Sequence, residues 1–134
     1  MTDLFVKLGA IGDVVQAGVA MFARAARFPD APRIDWVVGS RLVSLVEALD
    51  VAGRVIGVDD ESLLSGSRAR HWRALSAGVS AIGPFRLYDR VLTGYQDGRY
   101  RLLSSMVRAR SRASYGDRAE RPPLIQHRSR VHEY

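Results

Sequence analysis

Short apolar runs alternate along this chain with longer stretches in which apolar residues return every three or four positions. Leu4 to Leu8 reads as a strand, and Asp13 to Phe28 as a helix that Pro29-Asp30-Ala31-Pro32 stops. Ile34 to Val38 is a second strand, closed by Gly39-Ser40. Arg41 to Leu49 is a short helix, with Leu42, Leu45, Val46 and Leu49 at helical spacing. Arg54 to Val58 is a third strand, and Asp59 to Gly66 reads as a polar connection. Arg68 to Ile82 is helical, Leu87 to Leu92 is a fourth strand, and Gly98 to Arg110 is a helix. Ala113-Ser114-Tyr115 is a short fifth strand, and the chain beyond Gly116 is polar and interrupted by proline. Alternating strands and helices imply an α/β domain whose parallel strands are joined by right-handed crossovers. The first helix is apolar nearly all round, with Val14, Val15, Val19, Met21, Phe22, Ala25 and Ala26, so burial on more than one side is expected.

The turn Lys7-Leu8-Gly9-Ala10-Ile11-Gly12-Asp13 joins the first strand to the first helix. In open α/β sheets ligands bind at the carboxyl ends of the strands, where this turn falls. A glycine turn that holds phosphate offers bare N–H groups and the positive end of a helix dipole to an anion. A carboxylate there repels that anion, so the turn resembles a mount for Asp13 more than a phosphate cradle. Asp13 itself has two readings: a helix-end cap that satisfies free N–H groups, or a general base. Gly9 and Gly12 are expected to permit a tight turn and to leave room beside it. Tyr95-Gln96-Asp97-Gly98 follows the fourth strand on the same sheet edge and reads as an ordinary connection or a ligand-facing loop.

Composition narrows the classes. Gly9 and Gly12 supply only part of G-x-G-x-x-G, and no G-x-x-x-x-G-K-[ST] occurs, so neither nucleotide fingerprint is complete. No cysteine is present, and His71, His127 and His132 are scattered, which disfavours a metal site. The acidic start lacks a signal-peptide pattern and no apolar run reaches the length of a membrane span, so a cytoplasmic protein is expected. Trp36 and Trp72 read as core or interface residues. The formal charge is +6, and Lys7 is the only lysine. Nine arginines lie between Arg99 and Arg130, against Asp117, Glu120 and Glu133 from there to the end. Arginine usage of this kind can reflect base composition, but the clustering points to an anionic ligand or surface.

The glycine-aspartate turn, then Phe28-Pro29-Asp30, Ile34-Asp35-Trp36-Val37-Val38, Arg54-Val55-Ile56 and Tyr88-Asp89-Arg90-Val91-Leu92, resembles the lipopolysaccharide heptosyltransferases over residues 4 to about 110. These form glycosyltransferase family 9. The resemblance implies a Rossmann-like parallel sheet flanked by helices, the N-terminal half of a GT-B enzyme. It implies an acceptor-binding domain over 1–115, a polar arginine-rich tail or the start of a further helix over 116–134, and a donor domain absent from this chain. Asp13 matches the family's general base. Lys7, Gly12, Tyr95, Gln96, Arg118 and Arg121 fall at acceptor-binding positions. The implied reaction transfers a sugar, with inversion, from a nucleotide sugar such as ADP-heptose to an anionic glycan or glycolipid. No cofactor or metal is implied. Such a protein would work in the cytoplasm at the inner face of the membrane, and the isolated chain would be inactive and prone to self-association. After the fourth strand Thr93-Gly94-Tyr95-Gln96 departs from the family pattern. The alternative is a noncatalytic α/β module that binds an anionic partner through its arginines. Nucleic acid is disfavoured because aromatic residues do not interleave with the basic ones.

Overall fold

The computed structural model describes residues 2–65, 67–94 and 98–114. Five strands, β1 (Leu4–Val6), β2 (Asp35–Gly39), β3 (Val55–Val58), β4 (Leu87–Thr93) and β5 (Arg108–Ser114), form one sheet in the order β3-β2-β1-β4-β5. All four pairings are parallel, as the sequence pattern implies. Leu4 lies opposite Asp35 on one side and Val91 on the other; Val6 lies opposite Val37 and Thr93. The chain moves outward from β1 to β3, then returns to β4 on the far side of β1. The strand order therefore reverses between β1 and β4, and this is a Rossmann-like arrangement.

Helices cover both faces, which is why the central strands are apolar at successive positions rather than at alternate ones. The helices are α1 (Ile11–Arg27), α2 (Val43–Leu49), α3 (Asp60–Ser65), α4 (Arg68–Ile82) and α5 (Gly98–Ser105). Phe5, Trp36 and Val38 form one core with Val14, Ala17 and Met21 of α1 and Val46 of α2. Leu4, Val6, Val37 and Val91 form the other core with Leu75 and Ile82 of α4 and Leu103 of α5. The period-two side-chain direction of a strand sorts Phe5 from its neighbours Leu4 and Val6. Gly18 lets α1 close on α2, because a Cβ there would lie 2.8 Å from Leu49 Cδ1.

Four findings bear on the sequence pattern. First, α1 buries one face against the rest of this chain and leaves its other apolar face open to cover from outside it. Val14, Ala17, Gly18 and Met21 pack inward, while Ile11, Val15, Val19 and Phe22 form an exposed apolar stripe, Phe22 at 68%. Second, the polar connection after β3 contains α3. Asp59 starts it by accepting from the Ser62 backbone N–H at 3.1 Å, and its hydrogen bonds to Ser62 hold its carboxyl below the usual range. Third, the helix after β4 ends at Ser105 rather than Arg110, and the fifth strand begins at Arg108. Apolar spacing alone favoured more helix. Two tertiary partners override it: β4 pairs with the whole of β5, and Arg112 donates to the Ser104 and Val107 carbonyls where the helix ends. Fourth, of the two tryptophans expected in core or interface, Trp36 is core and Trp72 is on the surface, edge-on to His71. No helix among the described residues is long and apolar enough to cross a membrane. The predicted tail 116–134 lies outside the described residues.

Candidate functional site

The β1–α1 turn stands on a fixed base. The Lys7 N–H donates to the Val37 carbonyl at 3.0 Å, and the Lys7 carbonyl accepts from Trp36 Nε1 at 3.2 Å. Leu8 accepts from the Gly39 N–H, and Val6 from the Gly94 N–H, each at 2.9 Å. The end of β1 is thus tied to β2 on one side and to β4 on the other. Ala10 takes the cap position of α1, so Asp13 is the third helical residue, in the first turn. Its negative charge there is favoured by the helix dipole.

The Asp13 carboxylate meets the only lysine of the chain. Lys7 Nζ lies 3.4 Å from Asp13 Oδ2, with the lysine side chain 1% exposed and that of Asp13 27% exposed. An ammonium taken out of water needs an opposite charge close by. The lysine stem runs beside Gly94, where a Cβ would lie 2.9 Å from Lys7 Cδ and 3.2 Å from the Phe5 ring. In front of the turn the space is open. A Cβ added at Gly9 or Gly12 would meet nothing within 4 Å, and neither glycine adopts a left-handed conformation. Neither a left-handed backbone nor crowding demands glycine at either position. A carboxylate with partial solvent access and open space beside it can accept a proton from a bound hydroxyl.

On the β2 side of the turn the described residues are held by internal contacts. A Cβ at Gly39 would lie 2.8 Å from both the Leu8 carbonyl and Asp60 Cγ, so β2, the turn and α3 meet tightly. Glu61 pairs with Arg41, and Asp59 caps α3. No group of three or more histidine, aspartate or glutamate side chains among the described residues could hold a metal ion.

Of the residues expected at the site, the structure brings together Lys7, Gly12 and Asp13. Tyr95, Gln96, Arg118 and Arg121 lie outside the described residues. Arg108, Arg110 and Arg112 are spread along β5, with Arg108 beside Leu87 at the end of the sheet remote from the turn. Gly94 and Asp60 were not singled out by the sequence reading. A glycine one residue past a strand end is a usable signal for Gly94; nothing in the sequence marks Asp60 as closing on Gly39. A groove of about 420 Å³ opens at the amino edge of the sheet, near Asp3, Arg24, Asp89 and Arg90. Arg90 already pairs with Asp3 at 2.9 Å, and Arg24 donates to the Pro32 carbonyl at 3.3 Å. The reversal of strand order favours the opposite, carboxyl edge for a ligand.

No family model matches this chain, and no curated protein matches it. Solved structures do. The heptosyltransferase WaaC of E. coli with ADP is similar, with 19% identity and a TM-score of 0.65 over 83% of this chain and 35% of that one. The same enzyme with ADP-2-deoxy-2-fluoro heptose gives 21% identity and a TM-score of 0.67 over the same shares. A glycosyl transferase of family 9 from Veillonella parvula DSM 2008 gives 18% and 0.69, over 85% of this chain and 32% of that one. The chain spans about a third of the length of these structures and shares their fold over that third.

Proposed function

We propose that this chain is the acceptor-binding part of a GT-B glycosyltransferase of the heptosyltransferase kind. The observation that carries the reading is the placement of Asp13. It stands on the first strand-to-helix turn, beside the reversal of strand order, paired with a buried lysine and with 27% of its side chain exposed. The likeness of fold to sugar-transferring enzymes supports it. In this reading Asp13 takes the proton from an acceptor hydroxyl as that oxygen attacks the anomeric carbon of a nucleotide sugar. The bond from that carbon to the phosphate oxygen breaks, and the nucleoside diphosphate leaves with inversion at the sugar. The donor is a nucleotide sugar such as ADP-heptose, held by a second domain. The acceptor is an anionic glycan or glycolipid of lipopolysaccharide type. Gly12 leaves it room, and Tyr95, Gln96, Arg118 and Arg121 contact it. The work takes place in the cytoplasm at the inner membrane face, which fractionation of tagged protein reads directly.

Asp13→Asn is the informative change. In the full-length protein, given acceptor and nucleotide sugar, turnover should fall by about 10²–10⁴ while the fold persists. Unchanged turnover would falsify the catalytic role. The exposed stripe of α1 supports a further expectation, that the 134-residue chain alone self-associates. Sedimentation that shows a monomer over a hundredfold range of concentration, of order 1 to 100 μM, would contradict it.

A further inference from the structure

We propose that Lys7 is the positioning residue of this site: its buried ammonium holds the Asp13 carboxylate in the orientation a proton acceptor needs. The inference rests on the role given to Asp13 above. Three observations carry it. The first is burial. In the other ion pairs among the described residues the arginine is 44% to 76% exposed, whereas Lys7 is 1% exposed. A side chain so enclosed does not meet a ligand in the open space before the turn, so it acts on whatever lies there through Asp13. The second is rigidity. The Lys7 backbone is bonded through its N–H to Val37 and through its carbonyl to Trp36, both in β2. The ammonium is therefore referenced to the sheet, while Asp13 rides on the end of a helix. The third is fit. The stem passes Gly94 where a single added Cβ would lie 2.9 Å away. A compact ammonium on a narrow stem suits this passage; the planar guanidinium used elsewhere in the chain is bulkier. Lys7 and Gly94 together connect the two strands on either side of the reversal point, so the carboxylate is set relative to both.

Lys7→Met, which keeps the length of the stem and removes the charge, tests this. In the 134-residue chain, scalar couplings at the Asp13 Cβ protons report the side-chain rotamer. The expected result is one rotamer in the original protein and averaging in Lys7→Met, with the amide spectrum of β2 and α4 unchanged. A single Asp13 rotamer in both proteins overturns the proposal. Gly94→Ala provides the second variant should Lys7→Met not fold, because it displaces the lysine stem without removing the charge. It should loosen Asp13 in the same way, and a single retained rotamer overturns the proposal equally. In the full-length protein, Lys7→Met should lower kcat by about 10²-fold with acceptor KM within about threefold, the signature of misplacement. A raised KM at unchanged kcat would make Lys7 a direct ligand contact and overturn positioning. Failure of the catalytic reading is distinguishable: it shows as full turnover in Asp13→Asn, whatever the rotamer of Asp13 does in Lys7→Met.

Discussion

Asp13 and Asp35 stand at opposite ends of the same sheet, and their surroundings differ in kind. Asp35 begins β2, and its side chain is 5% exposed. Its Oδ1 accepts from the Arg54 N–H at 2.8 Å and its Oδ2 from the Tyr88 hydroxyl at 2.9 Å, with Arg86 Nη2 at 3.7 Å. Even the backbone is shaped around it, since a Cβ at Gly53 would lie 2.8 Å from Oδ1. Asp13 is held by a lysine from behind and keeps 27% of its side chain exposed. A carboxylate surrounded by three donors from two segments is a structural lock, because its lone pairs are committed to the fold. The Asp13 carboxylate lies beside a buried ammonium and keeps contact with solvent. Both belong to motifs that carry the family resemblance, Ile34-Asp35-Trp36 and Gly12-Asp13, yet one is enclosed and the other partly exposed.

The contrast breaks most sharply at Asp35. Asp35→Ala leaves the Tyr88 hydroxyl and the Arg54 N–H without their acceptor, and should cost about 2–5 kcal/mol, a large part of the stability of a domain this size. Urea unfolding measures it; a loss under about 1 kcal/mol would mean that water replaces the carboxylate freely. Tyr88 comes next. Burial, with the bond to Asp35 second, pushes its hydroxyl up to about 12 from 10.0. The folded state thus holds the proton more tightly than the unfolded state. That stabilisation is complete below pH 10 and is lost as pH rises through about 12. Tyr88→Phe should cost about 1–3 kcal/mol at neutral pH and abolish this alkaline decline, whereas a decline of equal size in the variant would assign it to other groups. Asp13→Asn keeps an oxygen that accepts from Lys7 but removes the charge opposite its buried ammonium, and with Asp13 partly solvated it should cost about 1–2 kcal/mol. A cost as large as that of Asp35→Ala would place Asp13 among the structural locks too.

The fold was largely legible. Apolar runs at 4–8, 34–38, 54–58 and 87–92 marked four strands whose buried pattern owes little to distant partners. The elements read poorly were those decided by tertiary contact. The strand Arg108–Ser114 carries three arginines and two serines and becomes a strand because β4 offers it a ladder. The helix Asp60–Ser65 rests on one carboxylate cap, and acidic residues before a short apolar pair look like a loop. At the candidate site, glycine spacing and a carboxylate after β1 singled out Asp13 and left cap and base as equal readings. They could not show that Lys7 is buried, because a lysine at a strand end ordinarily extends its head into water. Nor could they separate Asp35 from Asp13, since the difference lies in Tyr88 and Arg54, far along the chain.

The enclosure of Lys7 also bears on how the protein responds to covalent reagents. A protease that cuts after lysine, or an acylating agent selective for side-chain amines, has one target in the sequence, and the native turn hides it. Attack at that atom must wait for the turn between β1 and α1 to open. The rate of labelling at Lys7 is therefore a clock for local opening of the very segment that carries Asp13, read against a background with no other lysine to subtract.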